Sequence, residues 1–311
     1  MNTVLTHDPI AAAEFIRRGG VVAFPTETVY GLGADVFDER AVGKIFEAKQ
    51  RPADNPLIAH ISDVDQVGRL AAQVPSYADV LIERFFPGPL TLVLQKRDEV
   101  SSIVTAGLDS VGVRMPRHGL ARELITACGT PIVAPSANLS GRPSPTTWQA
   151  VLEDLDGRID CILQGEATEI GLESTVVDCT GDHPVLLRQG SVSLEDLQAV
   201  VHEAVRASEG SDDERKSPGL RHKHYSPRAS VKIVVTVDKV EADAAFIGID
   251  EPAVRPAFSM IVADAGEYAR ELFEFFRECD RRGIKTIYCQ SVPETGIGGA
   301  LMDRIRRAAQ G

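Results

Sequence analysis

The chain has 311 residues, and at about 150 residues per domain that length suggests roughly two domains. Hydrophobic residues make up 43% and charged residues 25%, which excludes collagen-like, mucin-like and wholly disordered chains. Setting 33 Lys and Arg against 45 Asp and Glu gives a net charge of −12, which disfavours a whole-surface electrostatic grip on nucleic acid.

Aromatic residues are only 5%, so a mostly aliphatic core is expected. No apolar run reaches about 18 residues, so no membrane span is expected. Residues Met1 to Pro9 lack a basic stretch followed by an apolar one, and no signal peptide is read there. The cysteines (Cys128, Cys161, Cys179, Cys279, Cys289) are odd in number and show no CxxC spacing. That pattern fits reduced thiols in a cytoplasmic protein.

In chain order, β-rich apolar runs bounded by Gly or Pro predict strands at Val21 to Phe24, Leu57 to Ile61, Leu90 to Leu94, Val111 to Met115 and Ile132 to Ala134. Helical spacing appears at Ala41 to Lys49, Ala78 to Phe86 and Leu120 to Ala127. Ser174 to Asp178 and Val185 to Arg188 flank Gly181-Asp182 and read as a hairpin. Ser193 can cap a helix opening Leu194-Glu195-Asp196, with Asp196 at the capping-box position. This half is mixed α/β.

The composition shifts near residues 206–230, where Ser208 to Lys216 is polar, small and charged and reads as a linker. Beyond it, strands are expected at Lys232 to Val237, Ala245 to Ile249, Ser259 to Ala263 and Thr286 to Cys289. Helices are expected at Glu267 to Arg281 and Leu301 to Ala309, giving a small parallel-sheet domain. Gly296 to Gly299 reads as a tight turn before the last helix, since Leu301 breaks the dinucleotide-binding glycine pattern.

Several segments could carry chemistry. Pro25 to Gly33 follows a strand and offers hydroxyls and glycines; it lines a pocket or is a Thr-capped strand-to-helix turn. The helix before Pro52 must end near Arg51, because proline disfavours helix in the residue before it. Lys49 and Arg51 then either satisfy the last helix carbonyls or present two cations, beside Asn55, to a polyphosphate. In the strand Ser110 to Met115, alternation puts Ser110, Gly112 and Arg114 on one face. An isolated buried Arg114 would be costly, so it needs an anionic partner, either substrate or a structural carboxylate. Pro135 to Gly141 gathers hydroxyls, an amide and backbone N–H groups in one turn, either an anion site or an ordinary loop. Glu173-Ser174-Thr175 and Arg188 add a hydroxyl and a cation. No Walker A loop, GxSxG elbow or HExxH motif is present, and His222 and His224 are a weak metal signal. Lys, Arg, Ser and Asn together suggest positioning plus charge stabilisation of phosphate chemistry.

The stretches PTETVYGLG (25–33), IFEAKQRPADNPLIAHI (45–61), FFPGPLTLVL (85–94), DSVGVRMPRH (109–118), APSANLSGRPSPTT (134–147), ESTVVD (173–178) and SPGLRHKHYSP (217–227) together resemble the YrdC-like family in its two-domain form, the L-threonylcarbamoyladenylate synthases. The resemblance implies a twisted, mixed α/β YrdC-like sheet domain over 1–205 and a linker or lid over 206–229. A small Rossmann-like parallel α/β domain would occupy 230–311. It implies that L-threonine and bicarbonate form N-carboxy-threonine, whose carboxylate attacks the α-phosphate of ATP and releases pyrophosphate. Mg²⁺ is expected with the nucleotide. The product would serve a tRNA threonylcarbamoyl transferase complex, with direct tRNA binding weak or indirect.

By resemblance, Lys49, Arg51, Ser136 and Asn138 form the catalytic signature. Arg51, Asn55, Ser110, Ser136, Ser144, Arg188 and Tyr225 would contact ATP, Tyr225 as part of a lid. Thr28, His60, Arg114, Ser174 and the backbone at Ala134 would contact threonine. The alternative, from another class, is a non-catalytic module binding double-stranded RNA or the ribosome; a broad basic face would go with it, which −12 argues against. A carbamoyl-adenylating part of a larger maturation protein ranks last.

Overall fold

A computed structural model describes residues 2–208, 216–217 and 225–310. Most of the expected linker, including His222 and His224, lies outside the described residues. Two sheets organise the chain. The first contains β1 (Val4–Thr6), β2 (Val22–Phe24), β3 (Gly31–Asp35), β4 (Ile58–His60), β5 (Leu90–Gln95), β6 (Ser110–Arg114), β7 (Ile132–Val133), β8 (Cys161–Leu163), β9 (Thr175–Asp178), β10 (Val185–Arg188) and β11 (Val205–Arg206). Their order is β1-β8-β2-β3-β7-β4-β6-β5-β9-β10-β11, with parallel and antiparallel pairs mixed. The second contains β12 (Ser230–Val234), β13 (Ala245–Gly248), β14 (Phe258–Ile261) and β15 (Thr286–Gln290). It is wholly parallel, in the order β12-β15-β13-β14. The fold class is therefore the expected one: a mixed α/β sheet followed by a separate small parallel sheet.

The helices are α1 (Pro9–Arg17), α2 (Glu39–Lys49), α3 (Val67–Leu70), α4 (Ser76–Phe85), α5 (Ser102–Thr105), α6 (Gly119–Cys128), α7 (Trp148–Leu155), α8 (Leu194–Gln198), α9 (Ala265–Arg281) and α10 (Ile297–Ala309). Their ends have legible causes. Asp38 accepts hydrogen bonds from the backbone of Arg40 and Ala41 and so caps α2. At its other end Gln50 turns left-handed, with φ of 52°, and Pro52 follows. The capping box at Ser193 and Asp196 is present on α8.

Two expectations are corrected. Pro25 to Gly33 does not lead into a helix; Gly31 begins β3, which turns back antiparallel to β2. The glycines make this strand possible, because a Cβ at Gly33 would lie 2.9 Å from the Phe24 ring. Gly296 to Gly299 is only in part a turn. Gly296 flanks α10, while Gly298 and Gly299 lie inside its first turn, four residues upstream of the expected start. A Cβ on Gly298 would sit 2.1 Å from the Pro293 carbonyl oxygen, so the close approach requires glycine there.

The core under the large sheet is aliphatic, as expected. The small unit departs from that. Tyr225, Tyr268, Phe273, Phe275 and Phe276 gather in one cluster with Leu272 and Leu301. Val29 and Leu172, from the large-sheet unit, belong to the same cluster.

Candidate active site

A cleft of about 610 Å³, counting its open mouth, lies where the two units meet. Nine of the residues singled out in the sequence line it: Thr28, Arg51, His60, Arg114, Ala134, Ser136, Ser174, Arg188 and Tyr225. Lys49, Asn55, Ser110, Asn138 and Ser144 are buried but do not line it.

β4 and β6 are parallel neighbours in register His60 to Arg114, so the two side chains arise side by side. Arg114 donates to Thr28 Oγ1 at 2.8 Å and pairs with Glu27 Oε1 at 2.8 Å. The anionic partner that a buried strand arginine requires is thus Glu27, which the sequence reading had left without a role. Burial alone would raise the Glu27 carboxyl, but the Arg114 charge and hydrogen bond overcome it and hold the group below the usual carboxylate range. His60 is buried with Nδ1 3.1 Å from the Ile58 carbonyl oxygen. Burial, then the nearby Arg114 charge, pushes its pKa down to about 3, so the ring stays neutral.

The second wall is a knot rather than an open cation. Lys49 Nζ donates to the carbonyl oxygens of Ser136 and Asn138 and to Asn138 Oδ1. Ser136 Oγ donates to the same amide oxygen at 2.6 Å. Neither of the two readings offered for Lys49 describes this. It leaves its own helix carbonyls and fastens the Ser136 to Asn138 turn, which a backbone bridge also joins to Gly31. Burial and the Arg51 charge depress its pKa well below the ordinary lysine value. Arg51, by contrast, faces the cleft and donates to the backbone oxygens of Asn55 and Pro56. Burial brings its guanidinium down to about 10.

The third wall comes from β9 and β10. Arg188 donates to the Ser174 carbonyl oxygen through Nε at 3.1 Å and Nη2 at 3.0 Å. Ser174 Oγ lies 2.8 Å from Thr91 Oγ1. Glu173 also lines the cleft, and one of its oxygens accepts from Ser144 Oγ at 2.6 Å. Its other oxygen pairs with Arg304 Nε of α10 at 2.9 Å. Tyr225 stacks on Phe273 of α9 with ring centroids 5.4 Å apart, so the small unit supports this face of the cleft.

Arg304 escaped sequence reading, yet a signal existed. Leu301, Ile305 and Ala308 mark the buried stripe of α10, and Arg304 falls on that stripe. Ser110 begins β6 and is buried, and it is not among the residues that line the cleft.

Residues 14–190 match the family of Sua5, YciO and YrdC, described as "Telomere recombination". Residues 192–310 match the threonylcarbamoyl-AMP synthase C-terminal domain. The chain belongs to the Sua5/YciO/YrdC family. It is 46% identical to a Pyrococcus abyssi threonylcarbamoyl-AMP synthase over 96% of this chain and 93% of that protein. A crystal structure of P. abyssi Sua5 complexed with L-threonine is 43% identical, with a TM-score of 0.91 covering 99% of this chain and 97% of the other. Escherichia coli YciO is 25% identical, with a TM-score of 0.56, and covers 63% of this chain. The Sua5/YciO/YrdC match and the C-terminal match together span the chain from residue 14 to 310, which is the two-domain form of the family.

Proposed function

We propose that this chain catalyses synthesis of threonylcarbamoyl-AMP from L-threonine, bicarbonate and ATP, releasing pyrophosphate, for N6-threonylcarbamoyladenosine formation in tRNA. The observation that carries this reading is the near full-length likeness to threonylcarbamoyl-AMP synthases, including a relative crystallised with L-threonine. The cleft chemistry agrees with it. The threonine amine and bicarbonate give a carbamate and water. A carbamate oxygen then bonds to the α-phosphorus while the bond to the departing pyrophosphate breaks. Both reactants are anions, so the barrier is largely electrostatic repulsion, which buried cations lower.

Arg114, aimed by Glu27 and Thr28, offers a fork for the threonine carboxylate. Arg51 and Arg188 face the triphosphate, with Ser136, Ser174 and Tyr225 lining the same space. Lys49 and Asn138 hold the Ser136 turn in place. Asn55, Ser110 and Ser144 belong to the ATP contacts that the resemblance implies; all three are buried beside the cleft. His60, with a pKa near 3, is a poor base, and none is assigned for the amine. Mg²⁺ belongs to the same reading, entering with ATP as part of the substrate. The division into 1–205, 206–229 and 230–311, a cytoplasmic setting, and hand-over of product to a tRNA threonylcarbamoyl transferase complex belong to the same reading. Among the described residues no helix is long and apolar enough to cross a membrane. The RNA-binding alternative is not favoured, since the cations gathered here are buried in the cleft rather than spread over a basic face.

The test is mass spectrometry of rapidly quenched reactions containing protein, ATP, Mg²⁺, L-threonine and bicarbonate. A threonylcarbamoyl-AMP peak that requires both threonine and bicarbonate, and that fades in Arg51→Ala, is expected. Folded protein yielding neither the adduct nor pyrophosphate would overturn the reading.

A further inference from the structure

The deepest contribution of the small unit to the cleft is a charge. Arg304 is completely buried, yet it comes from α10, in a different unit from the carboxylate it meets. Its Nε holds Glu173 at 2.9 Å, and its Nη1 holds Asp303 at 2.6 Å. Asp303 in turn accepts from Arg307 at 3.0 Å. Charges therefore alternate from the cleft outward: Glu173, Arg304, Asp303, Arg307. The head of α10 is fastened to the same wall, since Gln189, next to Arg188, donates to the Gly296 carbonyl oxygen at 3.1 Å.

Glu173 is an awkward residue for this cleft. A bare carboxylate in the lining would repel a triphosphate. It would also attract Arg188, which is bonded to the very next residue, Ser174, and is the other cation acting on Glu173. Arg304 weakens both effects by pairing with the carboxylate, while Arg188 still acts on it from a distance. We propose that Arg304 is a positioning residue for the nucleotide half of the reaction: it neutralises Glu173 and so leaves Arg188 and Arg51 available to the phosphates of ATP. The small unit thus completes the electrostatics of a site whose lining comes almost wholly from the large one. Burial opposes ionisation of Glu173, but the Arg304 charge, then Arg188 and the Ser144 hydrogen bond, keep it ionised, so the charge to be neutralised is present at neutral pH.

This inference rests on the reading that ATP binds here, and the two are separable. Steady-state kinetics of the full chain come first; if the parent protein makes no threonylcarbamoyl-AMP, the functional reading fails before Arg304 is addressed. With an active parent, Arg304→Gln is expected to raise KM for ATP about tenfold while KM for threonine moves less than about twofold. Adding Glu173→Gln should return KM for ATP to within about threefold of the parent, because the unneutralised charge is then gone. Arg304→Gln with an unchanged KM for ATP overturns the proposal. So does a double variant as impaired as the single one, which would mark a purely structural role. If Arg304→Gln alone does not fold, Glu173→Gln is compared with Glu173→Gln/Arg304→Gln. Equal KM for ATP sustains the coupling, and a further tenfold rise on removing Arg304 defeats it.

Discussion

At the scale of single residues, burial decides what each ionisable group can do. His60 sits in the cleft wall beside Arg114 and titrates near 3 instead of 6.5. Between those values the unfolded chain binds a proton that the folded protein rejects, so stability falls as acid is added through that window, by about 1.4 kcal/mol per pH unit at most. In urea denaturation, His60→Gln should shrink the stability difference between pH 7 and pH 5 by up to about 2 kcal/mol. An unchanged difference would mean that the ring is already charged in the fold. What the sequence could reveal at this scale was need rather than geometry. An arginine inside an apolar strand demanded an anion, and Arg114 has one, but nothing in the spacing distinguished Glu27 from substrate. The spacing offers Lys49 only its own helix carbonyls or a polyphosphate, because helix periodicity says nothing about a long side chain that crosses to the Ser136 turn.

At the scale of elements, α7 and α9 are joined by a buried ion cluster. Asp154 of α7 has a fully buried side chain and faces Arg142 in its own unit and Arg277 of α9 in the other. The Arg277 fork is bidentate, at 3.0 and 3.2 Å, and it also donates to the Pro143 carbonyl oxygen. Removing the acid would leave the buried Arg277 guanidinium with only the more distant Glu153 carboxylate, at 3.8 Å, a loss of about 3 kcal/mol. Asp154→Ala should therefore shift the urea midpoint strongly, and a change below about 1 kcal/mol would show that water reaches the cluster. Like Arg304, Arg277 lies on the buried stripe of its helix, four residues after Phe273, so both cross-unit contacts left a trace in the amino-acid pattern. β3 left none, because Gly-Leu-Gly reads as a turn until the Phe24 ring that needs the space is known. α1 was passed over although Asp8-Pro9 is a legible helix start, with Asp8 capping the backbone of Ile10.

At the scale of the whole molecule, the two sheets share one apolar cluster. Val29 and Leu172 of the large unit pack among the aromatic residues of α9. Next to Leu172, Gly171 has φ of +81°, and a Cβ there would lie 2.4 Å from the Arg270 Cα. Gly171→Val would force the units apart, and Leu172→Ala would leave a cavity costing about 2–5 kcal/mol. Calorimetry is expected to show a single transition in the parent, with the van't Hoff and calorimetric enthalpies in agreement. In Gly171→Val the transition should broaden or split; a sharp, unshifted one would mean that the seam contributes nothing to cooperativity.

The seam also limits how the small unit can be shared between proteins. It carries its own parallel sheet, which suggests a portable module, but its aromatic cluster is finished by side chains it does not own. Fused to a shorter relative that resembles only the large unit, it would gain covalent attachment without a seat. A productive graft would have to transplant the receiving surface as well: glycine at the place of Gly171, apolar side chains at those of Val29 and Leu172, and acids matching Asp154 and Glu173.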